Sequence, residues 1–142
     1  MSFVLDASVI LAWLLPDERS DVAHSLIRGA LDEGLRAPSM VLVEVGNALV
    51  QAHRRGRIRQ SVRDELLAAS TSLPIALEPI EAEAMLRAVE LATRHALTLY
   101  DASYLELALT RRCPLATLDR ALAAAARGEN VPILGAPDAS AP

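Results

Sequence analysis

The chain has 142 residues, a length that suits one domain and is too short for two of ordinary size. Hydrophobic residues make up 52% of the chain and aromatic residues only 3%, so leucine, valine, isoleucine and alanine must build the core. This composition excludes a disordered protein. The formal net charge of −4 argues against a protein that coats nucleic acid without specificity, although all 14 basic residues are arginine, which binds phosphate well.

The sequence contains no predicted membrane segment. The apolar stretch 9–15 is far shorter than the roughly 20 residues that a spanning helix needs. It also lacks a basic leader, so we expect no secretion signal. Cys113 is the single cysteine and cannot form an internal disulfide. We therefore expect a cytoplasmic protein with a reduced thiol and no membrane association.

Short apolar runs alternate with amphipathic helical patterns along the chain. Asp17 and Ser39 are the predicted N-caps of the second and third helices. Strands are predicted at 2–5, 35–38, 75–77, 115–118 and 131–134. Helices are predicted at 7–15, 18–33, 40–54, 60–72, 81–95, 101–111 and 120–127.

Continuously apolar strands that are separated by helices predict a parallel sheet buried on both faces. Right-handed crossovers then give a doubly wound α/β/α sandwich with a short-stranded, mainly parallel central sheet. We expect residues 1–135 to form one domain. The segment 136–142, rich in alanine, proline and serine, is predicted to be a flexible tail.

Four acidic residues stand out by position: Asp6, Glu44, Asp101 and Asp119. Asp6 and Asp119 follow predicted strands, so they share the ligand-binding edge of the sheet if those strands are neighbours. Glu44 lies in the apolar segment VLVEVGNAL, where burying an unpaired carboxylate is costly. Asn47 follows one helical turn later and could orient it. The position of Asp101 depends on tertiary structure.

Each acid also has a structural interpretation, because Asp6, Asp101 and Asp119 could be N-caps and Glu44 could reach the polar edge of its helix. Together, several carboxylates without histidine or cysteine ligands suit Mg²⁺ or Mn²⁺, which can activate water for phosphodiester hydrolysis. The sequence lacks GxxxxGK[ST], GxGxxG and GxSxG motifs. Nucleotide hydrolases, dinucleotide enzymes and serine hydrolases therefore lose support.

Four sequence blocks resemble the PIN-domain ribonucleases, and among these most closely the VapC toxins of type II toxin–antitoxin pairs. The blocks, in chain order, are FVLDASVILAWLLPDE, APSMVLVEVGNAL, LTLYDASYLELAL and PLATLDRALAAAA. The resemblance implies endonucleolytic RNA cleavage by water with Mg²⁺ or Mn²⁺, the metal held by the four acids. It also implies that small polar side chains orient ligands or water, namely Ser8, Asn47, Ser103 and Thr117. Backbone bonding near helix or strand ends is the alternative for the hydroxyl residues.

The resemblance further implies a VapB-like antitoxin and a homodimer. Apolar surface for the antitoxin is expected on the helices after Pro16 and around Trp13, Leu14 and Leu42, although ordinary core packing is the favoured interpretation for Trp13. RNA phosphates could contact two arginine groups, Arg54, Arg55, Arg57 and Arg59 around Gly56 and the pair Arg111 and Arg112. The alternative for these arginines is a solvated turn and a favourable charge at a helix end.

Three other functions stay open at the level of sequence. The chain could be an RNA-processing PIN nuclease without a toxin role, or a catalytically silent PIN-fold binding protein. The presence of all four acids argues against the silent protein. A phosphorylated receiver or a phosphatase would normally need a lysine, which this chain lacks.

Overall fold

Five strands and seven helices alternate along residues 2–18 and 20–135, the part of the chain that this computed structural model describes. The predicted tail at 136–142 lies outside the described residues. The strands are β1 (Phe3–Leu5), β2 (Leu35–Pro38), β3 (Ile75–Glu78), β4 (Leu115–Ala116) and β5 (Ile133–Leu134). The helices are α1 (Ala7–Leu14), α2 (Asp21–Glu33), α3 (Val41–Arg54), α4 (Gln60–Ser72), α5 (Ala82–His95), α6 (Leu99–Arg111) and α7 (Arg120–Gly128).

The strands form one parallel sheet in the order β3-β2-β1-β4-β5, which confirms the doubly wound sandwich. All pairs among the described strands are parallel, which confirms the prediction of a mainly parallel sheet. The chain builds outward from β1 to β3, then returns to add β4 and β5 on the other side. The topological switch point therefore lies between β1 and β4. Ligands bind at the carboxyl ends of strands at such a point.

The core surrounds β1, whose three residues are all buried. Helix α6 is buried along its middle, from Ala102 to Ala108, because it packs against β1 and β2 on one side and α5 on another. Aliphatic side chains such as Leu49, Leu105 and Leu115 are fully buried. Each contributes about 1.5–3 kcal/mol of transfer free energy. This core fixes the strand ends that carry the acids.

The predicted N-caps of the second and third helices, Asp17 and Ser39, are both wrong. Ser20 caps α2 by accepting the N–H of Ala23 at 3.3 Å, whereas Asp17 instead binds Arg57. Helix α3 begins at Val41 without a side-chain cap. The backbone N–H of Ser39 donates to the carbonyl of Glu78 at 2.8 Å, so this residue links β2 to β3.

Helix α6 begins two residues earlier than predicted, at Leu99. The Thr98 hydroxyl caps it by accepting the N–H of Asp101 at 3.1 Å. The N-cap interpretation of Asp101 is therefore wrong, and its carboxylate lies in the first turn. Strand β4 is also shorter than predicted and covers only Leu115–Ala116. Beyond it, the Thr117 hydroxyl and the Leu118 N–H contact Asp6 and Ser8, which follow β1.

Within the described ranges, no helix is both long and apolar enough to cross a membrane.

Candidate active site

Asp6 lies at the carboxyl end of β1, only 3% exposed, with both carboxylate oxygens engaged. Oδ1 accepts from the Ser8 hydroxyl at 2.6 Å and from the Val9 N–H at 3.3 Å. Oδ2 accepts from the Thr117 hydroxyl at 2.6 Å. The contact with Val9 confirms that Asp6 caps α1. The hydroxyls of Ser8 and Thr117 therefore hold the Asp6 carboxylate in one orientation.

The same hydroxyls join the loop after β4 to the end of β1. Ser8 Oγ accepts the N–H of Leu118 at 3.0 Å, and Thr117 Oγ1 accepts the N–H of Asp119 at 3.0 Å. Asp119 in turn caps α7 by accepting the N–H of Leu122 at 2.8 Å, as its structural interpretation anticipated. Asp119 is thereby positioned at the same sheet edge as Asp6, because β1 and β4 are neighbours.

Glu44 lies in the first turn of α3 and is half-buried. Its Oε1 accepts from the Tyr104 hydroxyl at 2.8 Å. Tyr104 is almost fully buried in α6, and sequence reasoning missed it. Two signals were available: a buried tyrosine hydroxyl usually has a partner, and Tyr104 follows Asp101 by one helical turn on the same face. Helix α6 therefore contributes Asp101 directly and acts on Glu44 through Tyr104.

The acids perturb one another. Burial raises the pKa of Asp6 to about 6, against the hydrogen bonds from Ser8 and Thr117, and the charge of Asp101 adds to the rise. Burial and the charge of Asp101 also raise the pKa of Glu44, against the hydrogen bond from its tyrosine partner. The pKa of Asp101 is raised by burial and then by the charge of Asp119. Asp101 is thus near enough to each of the other three acids for their charges to interact.

The donor set suits a hard divalent cation, since it consists of carboxylates only. Among residues 2–18 and 20–135, no three His, Cys, Asp or Glu side chains are already arranged to hold a metal ion. Like charges repel when no cation lies between them, so the carboxylates would have to close further on an ion. Raised pKa values show that ionised carboxylates are disfavoured here, and a cation would relieve this.

Two predicted polar residues are placed differently from Ser8 and Thr117. Ser103 is buried, and its hydroxyl donates to the carbonyl of Leu99 at 2.7 Å, the backbone alternative considered for it. Asn47 is exposed and lines a cleft beside Glu44, but no hydrogen bond joins these two side chains in the described structure. An orienting role for either residue stays a prediction.

The predicted arginine groups lie at the far ends of the helices that carry two of the acids. Ten residues separate Glu44 from Arg54 and Asp101 from Arg111, or about 15 Å along each helix axis. Two of the arginines are already in ion pairs, Arg57 with Asp17 and Glu18, and Arg111 with Glu78. The remaining ones, Arg54, Arg55, Arg59 and Arg112, are exposed. RNA contact by any of the six stays a prediction.

The apolar surface expected from Trp13, Leu14 and Leu42 is smaller than predicted. Leu14 is buried and Trp13 is partly buried against the core, because α1 packs against α2, α3 and α4. Leu42 is exposed, and so is its neighbour Val43. Of the three residues, only Leu42 therefore offers exposed apolar surface, at the start of α3.

The structure therefore defines a parallel doubly wound α/β domain whose acids Asp6 and Asp119 lie at the switch point, where ligands of such sheets bind. The PIN domain model matches residues 3–128, and the chain belongs to this family. It is 36% identical over 124 residues to Ribonuclease VapC3 of Pyrobaculum aerophilum, covering 87% of this chain and 93% of that protein.

Solved structures resemble the whole fold. The crystal structure of PAE2754 from Pyrobaculum aerophilum has a TM-score of 0.72 at 26% identity, covering 94% of this chain and 83% of that one. The crystal structure of VapBC2 from Rickettsia felis bound to a DNA fragment from its promoter has a TM-score of 0.69 at 14% identity, covering 94% of this chain and 97% of that one. At that identity the second likeness concerns the fold alone.

Proposed function

We propose that this PIN-domain protein is a Mg²⁺- or Mn²⁺-dependent endoribonuclease that acts as the toxin of a type II toxin–antitoxin pair. The placement of Asp6 and Asp119 side by side at the switch point, with Glu44 and Asp101 joined through Tyr104 and α6, carries the proposal. The similarity to a protein named as a VapC ribonuclease supports RNA as the substrate.

The four acids would hold the metal, and three of them have side-chain contacts that fix their orientation. Asp6 is fixed by two hydroxyls, Glu44 by the Tyr104 hydroxyl, and Asp119 by its helix-capping contact. A bound divalent ion supplies activated water and neutralises charge that develops on phosphate oxygens. Ligand carboxylates must be ionised, so the pKa of about 6 for Asp6 predicts weaker activity as the pH falls through this value.

The direct test incubates the purified chain with a mixed RNA pool and Mn²⁺ or Mg²⁺, beside Asp101→Asn. Removal of Asp101 should lower the cleavage rate at least about hundredfold, because even residues behind metal ligands cost 10–100-fold. Asp32→Asn on α2 is the matched control, since Asp32 is an exposed acid outside the site. Equal cleavage by wild type and Asp101→Asn, or no cleavage with either metal, would defeat the proposal.

The proposed protein partner is a VapB-like antitoxin. The 36% identity to a protein named as a VapC ribonuclease supports a partner of that kind. Leu42 and Val43, exposed beside the acids, offer apolar surface from which an antitoxin could cover the site.

We also propose a homodimer, formed through α5. Apolar side chains recur on its exposed face at Ala82, Met85, Leu86 and Val89, the spacing of a helix–helix contact. Such a stripe is unusual on a surface that faces only water, and a two-fold contact would pair it with itself.

The prediction for the dimer is that Leu86→Asp gives a monomer. Leu86 is 60% exposed, so its replacement should leave the fold intact and place a desolvated charge in the contact. Leu31→Asp is the control, because Leu31 is 59% exposed on a different helix. Light scattering after size exclusion should show a dimer for wild type and Leu31→Asp. A dimer for Leu86→Asp as well would exclude this face.

A further inference from the structure

An open cleft of about 470 Å³ lies beside Glu44, between α1 and α3 at the start of α6. Its walls are largely apolar, with Leu11, Met40 and Val43 among them. Its polar side chains are the Glu44 carboxylate, the Asn47 amide and the phenol of Tyr100. The cleft is therefore continuous with the acid cluster but differs from it in chemistry.

Tyr100 forms part of this cleft and is 62% exposed. The chain has four aromatic residues, and the structure describes all of them. Phe3 and Tyr104 are buried and Trp13 is partly buried, so Tyr100 is the one of the four that is mostly exposed to solvent. The ring belongs to the residue next to Asp101. An exposed aromatic side chain at that position has no role in the core.

We propose that this cleft binds one nucleobase of the RNA, stacked on the Tyr100 ring, next to the phosphate that is cut. This inference rests on the proposed ribonuclease function. None of the residues lining the cleft is arginine or histidine and one is the acid Glu44, so a phosphate is not attracted there, whereas a neutral planar base matches its largely apolar walls. The Asn47 amide can both donate to and accept from the edge of a base. Base–aromatic stacking is the usual way to hold single-stranded RNA.

The experiment compares binding of two fluorescein-labelled probes by anisotropy, with Ca²⁺ as the divalent ion. One probe is an oligoadenylate of about ten nucleotides, and the other is an abasic ribose-phosphate oligomer of the same length and charge. Wild type should bind oligoadenylate about tenfold more tightly than the abasic oligomer, the size of one base–aromatic stack. Tyr100→Leu should lose most of this preference, and Tyr100→Phe should keep it.

The difference in affinity between the two probes reports the interaction of a base with the Tyr100 ring, because the probes have the same charge and length. Since Tyr100 is mostly exposed, Tyr100→Leu should unfold at the wild-type temperature. An equal preference in wild type and Tyr100→Leu would overturn the stacking site, leave the ribonuclease function standing and make a protein side chain the better occupant of the cleft. Failure of wild type to bind or cut any RNA would overturn the function itself, and this inference with it.

Discussion

Replacing Asp6 with asparagine is expected to remove RNA cleavage and, at the same time, to stabilise the folded protein at neutral pH. Asp6 is buried, and its pKa is raised to about 6, whereas an aspartate in an unfolded chain titrates near 3.9. Ionising Asp6 in the fold therefore costs free energy. Two pKa units correspond to about 3 kcal/mol, which is an upper figure for the gain. Asparagine is neutral and similar in shape.

The pH dependence of this gain follows from the direction of the shift. A carboxyl group with a raised folded-state pKa stabilises the fold fully below its unfolded pKa, and this stabilisation is lost as the pH rises to about 6. The free energy of unfolding of Asp6→Asn should exceed that of wild type most at about pH 7 and least near pH 4. Denaturant titrations in EDTA measure this difference, with the exposed-acid variant Asp32→Asn as the control that should show a much smaller gain.

Addition of Mn²⁺ completes this prediction. A cation that binds only the folded state raises stability, so wild type should gain on Mn²⁺ addition while Asp6→Asn gains little. An Asp6→Asn protein that is less stable than wild type at pH 7 would mean that the hydrogen bonds from Ser8 and Thr117 outweigh the burial of charge. A variant that still cuts RNA at the wild-type rate would remove Asp6 from the active site.

Much of the sheet could be predicted from sequence because apolar strands and helical periodicity are local signals. The juxtaposition of Asp6 with Asp119 required only that their strands be neighbours, and the order of the sheet meets that condition. Glu44 was inferred from the cost of placing a carboxylate among apolar residues. Its half-buried position beside a buried hydroxyl agrees with that reasoning.

The errors came from local competition that pattern reading does not resolve. Asp17 and Ser20 are both of a residue type that caps helices well. In the structure Ser20 is the cap, and Asp17 instead forms an ion pair with Arg57, forty residues along the chain. The cap of α6 is Thr98, and the sequence carries a signal for it, because Thr98 is followed three residues later by an acid, the spacing of a capping box. The partner of Glu44 lies 60 residues along the chain, so no local pattern could have identified it.

That partner gives the second large expected effect: Tyr104→Phe should weaken Mn²⁺ binding about 10–100-fold, the usual cost of removing a group that orients a metal ligand. The Tyr104 hydroxyl donates to Glu44 at 2.8 Å. Burial and the neighbouring negative charge raise the pKa of Tyr104, so it stays protonated and remains a donor. Without this hydroxyl, the Glu44 carboxylate loses its fixed orientation, and its burial becomes more costly.

Calorimetric titration with Mn²⁺ measures the affinity directly, and cleavage rates across a Mn²⁺ series separate affinity from turnover. If Tyr104 acts by positioning Glu44, saturating Mn²⁺ should restore a cleavage rate close to that of wild type. Tyr100→Phe is the matched control, since it removes a phenol hydroxyl from an exposed tyrosine in the same helix. Unchanged Mn²⁺ affinity in Tyr104→Phe would mean that the hydrogen bond from Tyr104 to Glu44 does not contribute to metal binding. A rate that stays low at saturating Mn²⁺ would instead require the hydroxyl in the chemical step, so these two measurements together decide how α6 contributes to Glu44.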